Sequence, residues 1–116
     1  TFTATAEVVR YVGATPVLVD VLPDSLNIDL AAAESAVTSR TRAVMPVHFG
    51  GLPVHRAALA AFASRHGVAV VEDAAHCFPA VSSGISVGCG DSDAVVLVGN
   101  VNRPAHSDKL VDVSTR

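Results

Sequence analysis

Four short apolar runs divide the chain at regular intervals. They occupy residues 16–21, 43–48, 68–71 and 93–98, and their first residues lie 25 to 27 positions apart. The apolar residues within a run are continuous rather than alternating, which is typical of strands covered on both faces. The sequence therefore predicts four strands of a mostly parallel sheet, joined by right-handed crossovers.

Amphipathic segments precede and separate the first three runs. Each combines apolar residues at helical spacing with a start or stop signal, either an aspartate before the first turn or a glycine after the last. The three sets are Val8, Tyr11 and Val12 before Gly13; Leu30, Ala33 and Val37 after Asp29; and Leu59, Phe62 and Ala63 before Gly67. Residues 79–92 have no apolar period and predict a loop. The pattern as a whole predicts an α/β fold with three layers.

Composition and charge narrow the class of protein. Half of the 116 residues are hydrophobic, 16% are charged and the net charge is −3, which suits a packed core and gives no reason to expect nucleic-acid or membrane binding. No leader-like segment or apolar run of membrane-spanning length is present, so a cytoplasmic protein with free Cys77 and Cys89 is predicted. Because the first residue is Thr1 rather than Met, we expect the natural start to lie upstream.

Candidate chemistry lies beyond the carboxyl ends of the predicted strands, where open parallel sheets bind their ligands. Three segments fall there: the loop after Asp20, residues 48–51 and residues 72–76. Alternation along an extended strand predicts that Glu72 and Asp73 point to opposite faces. No spacing among His48, His76 and Cys77 matches a zinc pattern, so no metal site is predicted.

The run VVEDAAHCFPA, residues 70–80, resembles the DegT/DnrJ/StrS-type sugar aminotransferases, which are fold-type I enzymes dependent on pyridoxal phosphate. Residues 1–21, 24–29 and 39–54 resemble other stretches of that family in the same order. The likeness covers residues 1 to about 90. It implies that the chain is a fragment of a fold-type I aminotransferase large domain, with residues 1–98 forming part of the cofactor-binding domain and residues 99–116 a divergent or disordered tail.

The resemblance also implies roles for four residues. Asp73 matches the aspartate that pairs with the protonated pyridine nitrogen of pyridoxal phosphate. Ala75 matches the small residue on one face of the ring, and Phe2 matches the aromatic residue stacked on the other face. His76 occupies a position near the phenolic oxygen of the ring.

The family's imine-forming lysine has no counterpart in this sequence. Depending on alignment, its position falls at Val101, Asn102 or Arg103, none of which forms an imine with the cofactor. The single lysine, Lys109, lies beyond the expected place. No catalytic lysine is therefore assigned, and we expect the chain to be inactive alone.

For the complete enzyme, the resemblance implies amino transfer from a donor such as glutamate to a nucleotide-linked keto sugar, in a homodimer. Relatives of this kind act in polysaccharide and antibiotic-sugar biosynthesis. Two alternatives stay open at this point: a non-catalytic member of the same family, and a small flavodoxin-like or receiver-like binding domain. The latter would use Asp20 and Asp73 as acidic residues at strand ends.

Overall fold

The computed structural model describes residues 3–90 and 92–96, which form three helices, five short strands and a 3-10 turn. In chain order these are α1 Thr3–Tyr11, α2 Leu30–Ala36, β1 Ala43–Val44, the 3-10 turn Phe49–Gly51, α3 Arg56–His66, β2 Ala69–Asp73, β3 Val81–Ser82, β4 Ile85–Ser86 and β5 Ala94–Val96.

The main sheet has three parallel strands in the order β1-β2-β5, with β2 in the centre. Three of the four predicted strands are thereby confirmed. Regular pairing of β1 stops at Val44, and Val47 forms only an isolated bridge with Asp73. Pro46 lies between them and has no N–H to donate, which interrupts the ladder.

The prediction of a strand at residues 16–21 is wrong for the described structure. The segment is irregular, and its single bridge joins Val21 to Ile28 in antiparallel orientation. Val17 and Leu18 are 68% and 80% exposed. An apolar run becomes a strand only when another strand satisfies its backbone groups, and no strand within residues 3–90 or 92–96 lies alongside this one.

The main core lies between β2 and the helices α2 and α3. Val70 of β2 packs in one buried cluster with Ala33 of α2 and with Leu59 and Phe62 of α3. Because side chains alternate along a strand, Glu72 shares the face of Val70, whereas Asp73 points to the opposite face, where Thr5 of α1 contacts it. Helices therefore lie on both sides of the sheet, as expected for three layers.

The predicted helix signals are present at the helix ends. Asp29 caps α2, since its Oδ1 accepts hydrogen bonds from the backbone N–H groups of Ala31 and Ala32 at 2.8 and 3.3 Å. Gly67 ends α3 in the left-handed conformation, with φ 62°, which glycine adopts without steric cost. Across the described ranges, no helix is both long enough and apolar enough to cross a bilayer.

The loop predicted at residues 79–92 contains a small hairpin that the apolar pattern did not indicate. Strands β3 and β4 pair antiparallel around Ser83 and Gly84, whose φ angles are 53° and 78°. Positive φ at both central residues is the signature of the two-residue turn that matches strand twist. The Ser-Gly pair was therefore the local signal, and the strands were too short for alternation to show.

Candidate functional site

Asp73 ends the central strand, and its carboxylate is held from two sides. Thr5 donates its hydroxyl to Oδ2 at 2.6 Å, and the backbone N–H of Ala75 donates to Oδ1 at 3.1 Å. Asp73 is partly exposed. Since a carboxylate offers about four lone-pair positions, each oxygen retains capacity to accept a further hydrogen bond.

The residues after Asp73 form a turn at the carboxyl edge of the sheet. Ala75 is half-buried and His76 is exposed, and the backbone N–H of Cys77 closes the turn on the carbonyl of Ala74 at 2.9 Å. The 3-10 turn lies next to it, because a Cβ placed on Gly51 would be 3.8 Å from the carbonyl oxygen of His76. Asp73, Ala75 and His76 thus lie in one turn beside residues 49–51.

The remaining residues implied by the family likeness lie outside the described part of the chain. They are Phe2, the three candidate lysine positions Val101, Asn102 and Arg103, and Lys109. The division into residues 1–98 and a tail at 99–116 likewise stays a prediction.

Glu72, one residue before Asp73, belongs to a separate network on the other face of the sheet. Its Oε2 lies 2.5 Å from Nε2 of His48, and its Oε1 accepts a hydrogen bond from the hydroxyl of Ser92. Nδ1 of His48 accepts the backbone N–H of Val54 at 3.0 Å. The proton of the neutral ring is therefore on Nε2, from which it is donated to Glu72.

This network joins three parts of the fold and leaves no group free for catalysis. His48 is 1% exposed, and both of its ring nitrogens are occupied. A serine is activated as a nucleophile when its hydroxyl donates to a histidine that is oriented by an acidic residue. Ser92 instead donates to Glu72, so this arrangement is absent here. The residues therefore have a structural role, and Glu72 lies on the face opposite to Asp73, as the alternation along the strand predicted.

Two other polar side chains at this edge also form hydrogen bonds with backbone groups. Asn27 is 5% exposed, and its side chain bonds the N–H of Phe49 and the carbonyl of Leu52 at 3.1 and 3.0 Å. It fixes the 3-10 turn that lies beside His76, a role without any signal in the sequence pattern. Asp20 is exposed and caps the N–H of Val21 at 2.8 Å, as expected for a turn residue.

Within residues 3–90 and 92–96, the site around Asp73 is partly exposed to solvent. Two cavities of the described chain, with volumes of about 20 and 270 Å³, are lined by residues such as His48, Leu59 and Asp93 and not by Asp73. No group of three histidine, cysteine or acidic side chains within residues 3–90 and 92–96 is arranged to hold a metal ion. The carboxylate of Asp73 can accept a hydrogen bond from a ligand that presents a donor group to it.

Comparison with known proteins extends these observations. Residues 1–96 match the family model of the DegT/DnrJ/EryC1/StrS aminotransferases. Over 88 residues the chain is 48% identical to UDP-N-acetyl-3-dehydro-alpha-D-glucosamine 3-aminotransferase of Acidithiobacillus ferrooxidans, an alignment that covers 76% of this chain and 24% of that protein. The chain thus spans about a quarter of the length of this relative.

Solved structures agree in fold. DesV of S. venezuelae superimposes with a TM-score of 0.77 and 42% identity over 79% of this chain and 25% of its own. NtdA of Bacillus subtilis, solved with bound cofactor PMP, gives a TM-score of 0.68 and 31% identity over 72% of this chain and 19% of its own. The aminotransferase family implies pyridoxal phosphate as cofactor.

These matches decide against the flavodoxin-like or receiver-like alternative. The family model covers most of the chain, and the sheet superimposes on part of a fold-type I aminotransferase. The chain therefore belongs to the DegT/DnrJ/EryC1/StrS aminotransferase family.

Proposed function

We propose that this chain forms part of the cofactor-binding domain of an aminotransferase that acts on nucleotide-linked keto sugars. The observation that supports this most directly is the partly exposed carboxylate of Asp73 at the carboxyl end of the central strand, with acceptor capacity left on both oxygens. The 3-dehydro sugar in the name of the Acidithiobacillus relative supports the substrate class.

Each residue of the site has a defined task under this proposal. Asp73 holds the proton on the pyridine nitrogen of the cofactor, because an adjacent carboxylate stabilises the charged ring. Ala75, being small, would let the ring lie close to the chain, and His76 would lie near its phenolic oxygen. Phe2 would stack on the opposite face and exclude water.

The bound cofactor would supply an electron-withdrawing ring that stabilises negative charge on the substrate carbon. The imine-forming lysine is not assigned in this sequence, so the chain alone should not turn over substrate. Because the described residues leave the site partly exposed, we expect further walls to come from other chain segments or from a second subunit. A cytoplasmic homodimer that uses glutamate as amino donor is the form we propose for the complete enzyme.

A second candidate function is cofactor binding without amino transfer, as in a non-catalytic family member. It is favoured by one observation, the occurrence of a single lysine at position 109, outside the family's motif. Such a protein would retain Asp73 and its ligand but not the covalent link. The two candidates therefore share the binding step and differ in whether an imine forms.

Titration of the purified chain with pyridoxamine 5′-phosphate, followed by fluorescence, tests the shared step. This ligand binds without an imine and so does not need the lysine. Asp73→Asn should weaken binding about tenfold or more, since a hydrogen bond to an ionised group is worth about 1.5–3 kcal/mol. Asp24→Asn changes an exposed turn residue and serves as the matched control. Equal affinity of the two variants would contradict the role of Asp73.

Borohydride reduction in the presence of pyridoxal phosphate tests whether Lys109 of this chain forms an imine with the cofactor. A stable mass increase that disappears in Lys109→Arg would show that this lysine forms the imine, against our expectation for the isolated chain. No mass increase, together with binding that depends on Asp73, is the expected result.

A further inference from the structure

The structure assigns Thr5 as a positioning residue for the cofactor-binding carboxylate, an inference that rests on the proposed function of Asp73. The hydroxyl of Thr5 reaches Oδ2 of Asp73 at 2.6 Å from a helix 68 residues away in sequence. Thr5 lies within residues 1–21, which resemble the family, but the sequence pattern predicted no role for it.

Thr5 completes the set of donors that orients the carboxylate. Ala75 holds Oδ1 through its backbone N–H, and Thr5 holds Oδ2. The terminal torsion of an aspartate is broad and roughly two-fold, so a single donor leaves the carboxylate plane free to turn. Donors at both oxygens fix the carboxylate plane, and therefore fix the direction in which the remaining lone pairs of Asp73 accept a hydrogen bond.

The contact also connects α1 to the sheet. Within the described residues, α1 has no buried side chain, and the bond from Thr5 to Asp73 is the side-chain hydrogen bond that joins it to β2. The orientation of Asp73 and the position of α1 are therefore coupled.

Substitution at Thr5 separates positioning from folding. Thr5→Val removes the hydroxyl while keeping a β-branched side chain of similar size, and Thr5→Ser keeps the donor. Thr3→Val is the matched control, because Thr3 is exposed on the same helix and makes no side-chain hydrogen bond to a described residue. Since α1 buries no residue, none of these changes should disturb the core, which far-UV circular dichroism checks.

The test measures binding of pyridoxamine 5′-phosphate to the purified chain together with the ¹⁵N resonance of its ring nitrogen. We expect Thr5→Val to bind about tenfold more weakly and to move the ring resonance toward that of the unprotonated pyridine. Thr5→Ser and Thr3→Val should match the wild type in both measurements. Without ligand, the ¹³Cγ resonance of Asp73 should shift in Thr5→Val only.

Four results would overturn the inference. If Thr5→Val equals Thr3→Val in affinity and ring resonance while Asp73→Asn binds weakly, Thr5 has no positioning role, and the proposed function stands. If the wild type does not bind, or if Asp73→Asn binds as well as the wild type, the proposed function fails and the role of Thr5 fails with it. Loss of helical signal in Thr5→Val but not in Thr5→Ser would assign the hydroxyl to folding instead.

Discussion

Removing the carboxylate of Glu72 should destabilise the fold far more than removing an exposed glutamate. The side chains of His48 and Glu72 are 2% and 13% exposed. In Glu72→Ala, Nε2–H of His48 would lose its partner where water barely reaches, at a cost of about 1–3 kcal/mol. The space left by the deleted side chain adds to this, so we expect the free energy of unfolding to fall by about 2–4 kcal/mol.

Urea unfolding followed by circular dichroism measures this difference, and Glu34→Ala is the matched control. Glu34 also contacts a histidine, since its Oε1 lies 2.9 Å from Nε2 of His66, but its side chain is 38% exposed. Pairs nearer the surface contribute less, so this variant should lose less stability than Glu72→Ala. The slope of the transition should be unchanged in both variants if the denatured state is unaffected.

Equal destabilisation by the two alanine variants would refute the reasoning that burial makes the pair of His48 and Glu72 important. Glu72→Gln provides a finer test. The amide introduced by this substitution keeps one oxygen that accepts a hydrogen bond, but its NH₂ group faces the second donor. The stability of Glu72→Gln should therefore fall between those of the wild type and Glu72→Ala. A fully stable Glu72→Gln would show that the second hydrogen bond contributes nothing.

Two further measurements follow from the surface and from the thiols. Contact with His66 first, and then with Arg65, lowers the pKa of Glu34 below its ordinary value of 4.5. The resulting stabilisation of the fold is present above about pH 4.5 and is lost as the pH falls through the pKa of the folded state. The difference in stability between the wild type and Glu34→Gln should therefore shrink below about pH 4.5. Burial, and then the charge of Glu72, raises the pKa of the Cys77 thiol. A thiol reagent should therefore modify only the exposed Cys89 in the native chain and both cysteines in urea. Rapid modification of both cysteines in the native chain would contradict this.

The sequence was sufficient for features that local residues determine. Asp29 caps the start of α2 and Gly67 ends α3, each through contacts within a few residues. The central strand follows from its continuous apolar run. Residues 16–21 show where such reasoning fails, because the run was apolar enough for a strand but the partner that a strand requires is not a local property. The hairpin around Gly84 was missed because its two-residue strands are too short to show a period.

The residues of the candidate site likewise differ in whether the sequence alone could predict them. Asp73, Ala75 and His76 could be found because they are contiguous in one motif. Thr5 and Asn27 could not, because each acts through a hydrogen bond to a residue distant in sequence, 68 and 22 to 25 positions away. Neither residue type is unusual at its position, so only the folded arrangement reveals what it contacts.

The adjacency of Glu72 and Asp73 has an evolutionary consequence. One side chain of the central strand faces the buried network and the next faces the proposed ligand. An insertion or deletion of a single residue in β2 would exchange the two faces, placing a charge without its partner in each environment. The length of β2 should therefore stay fixed among descendants of this gene.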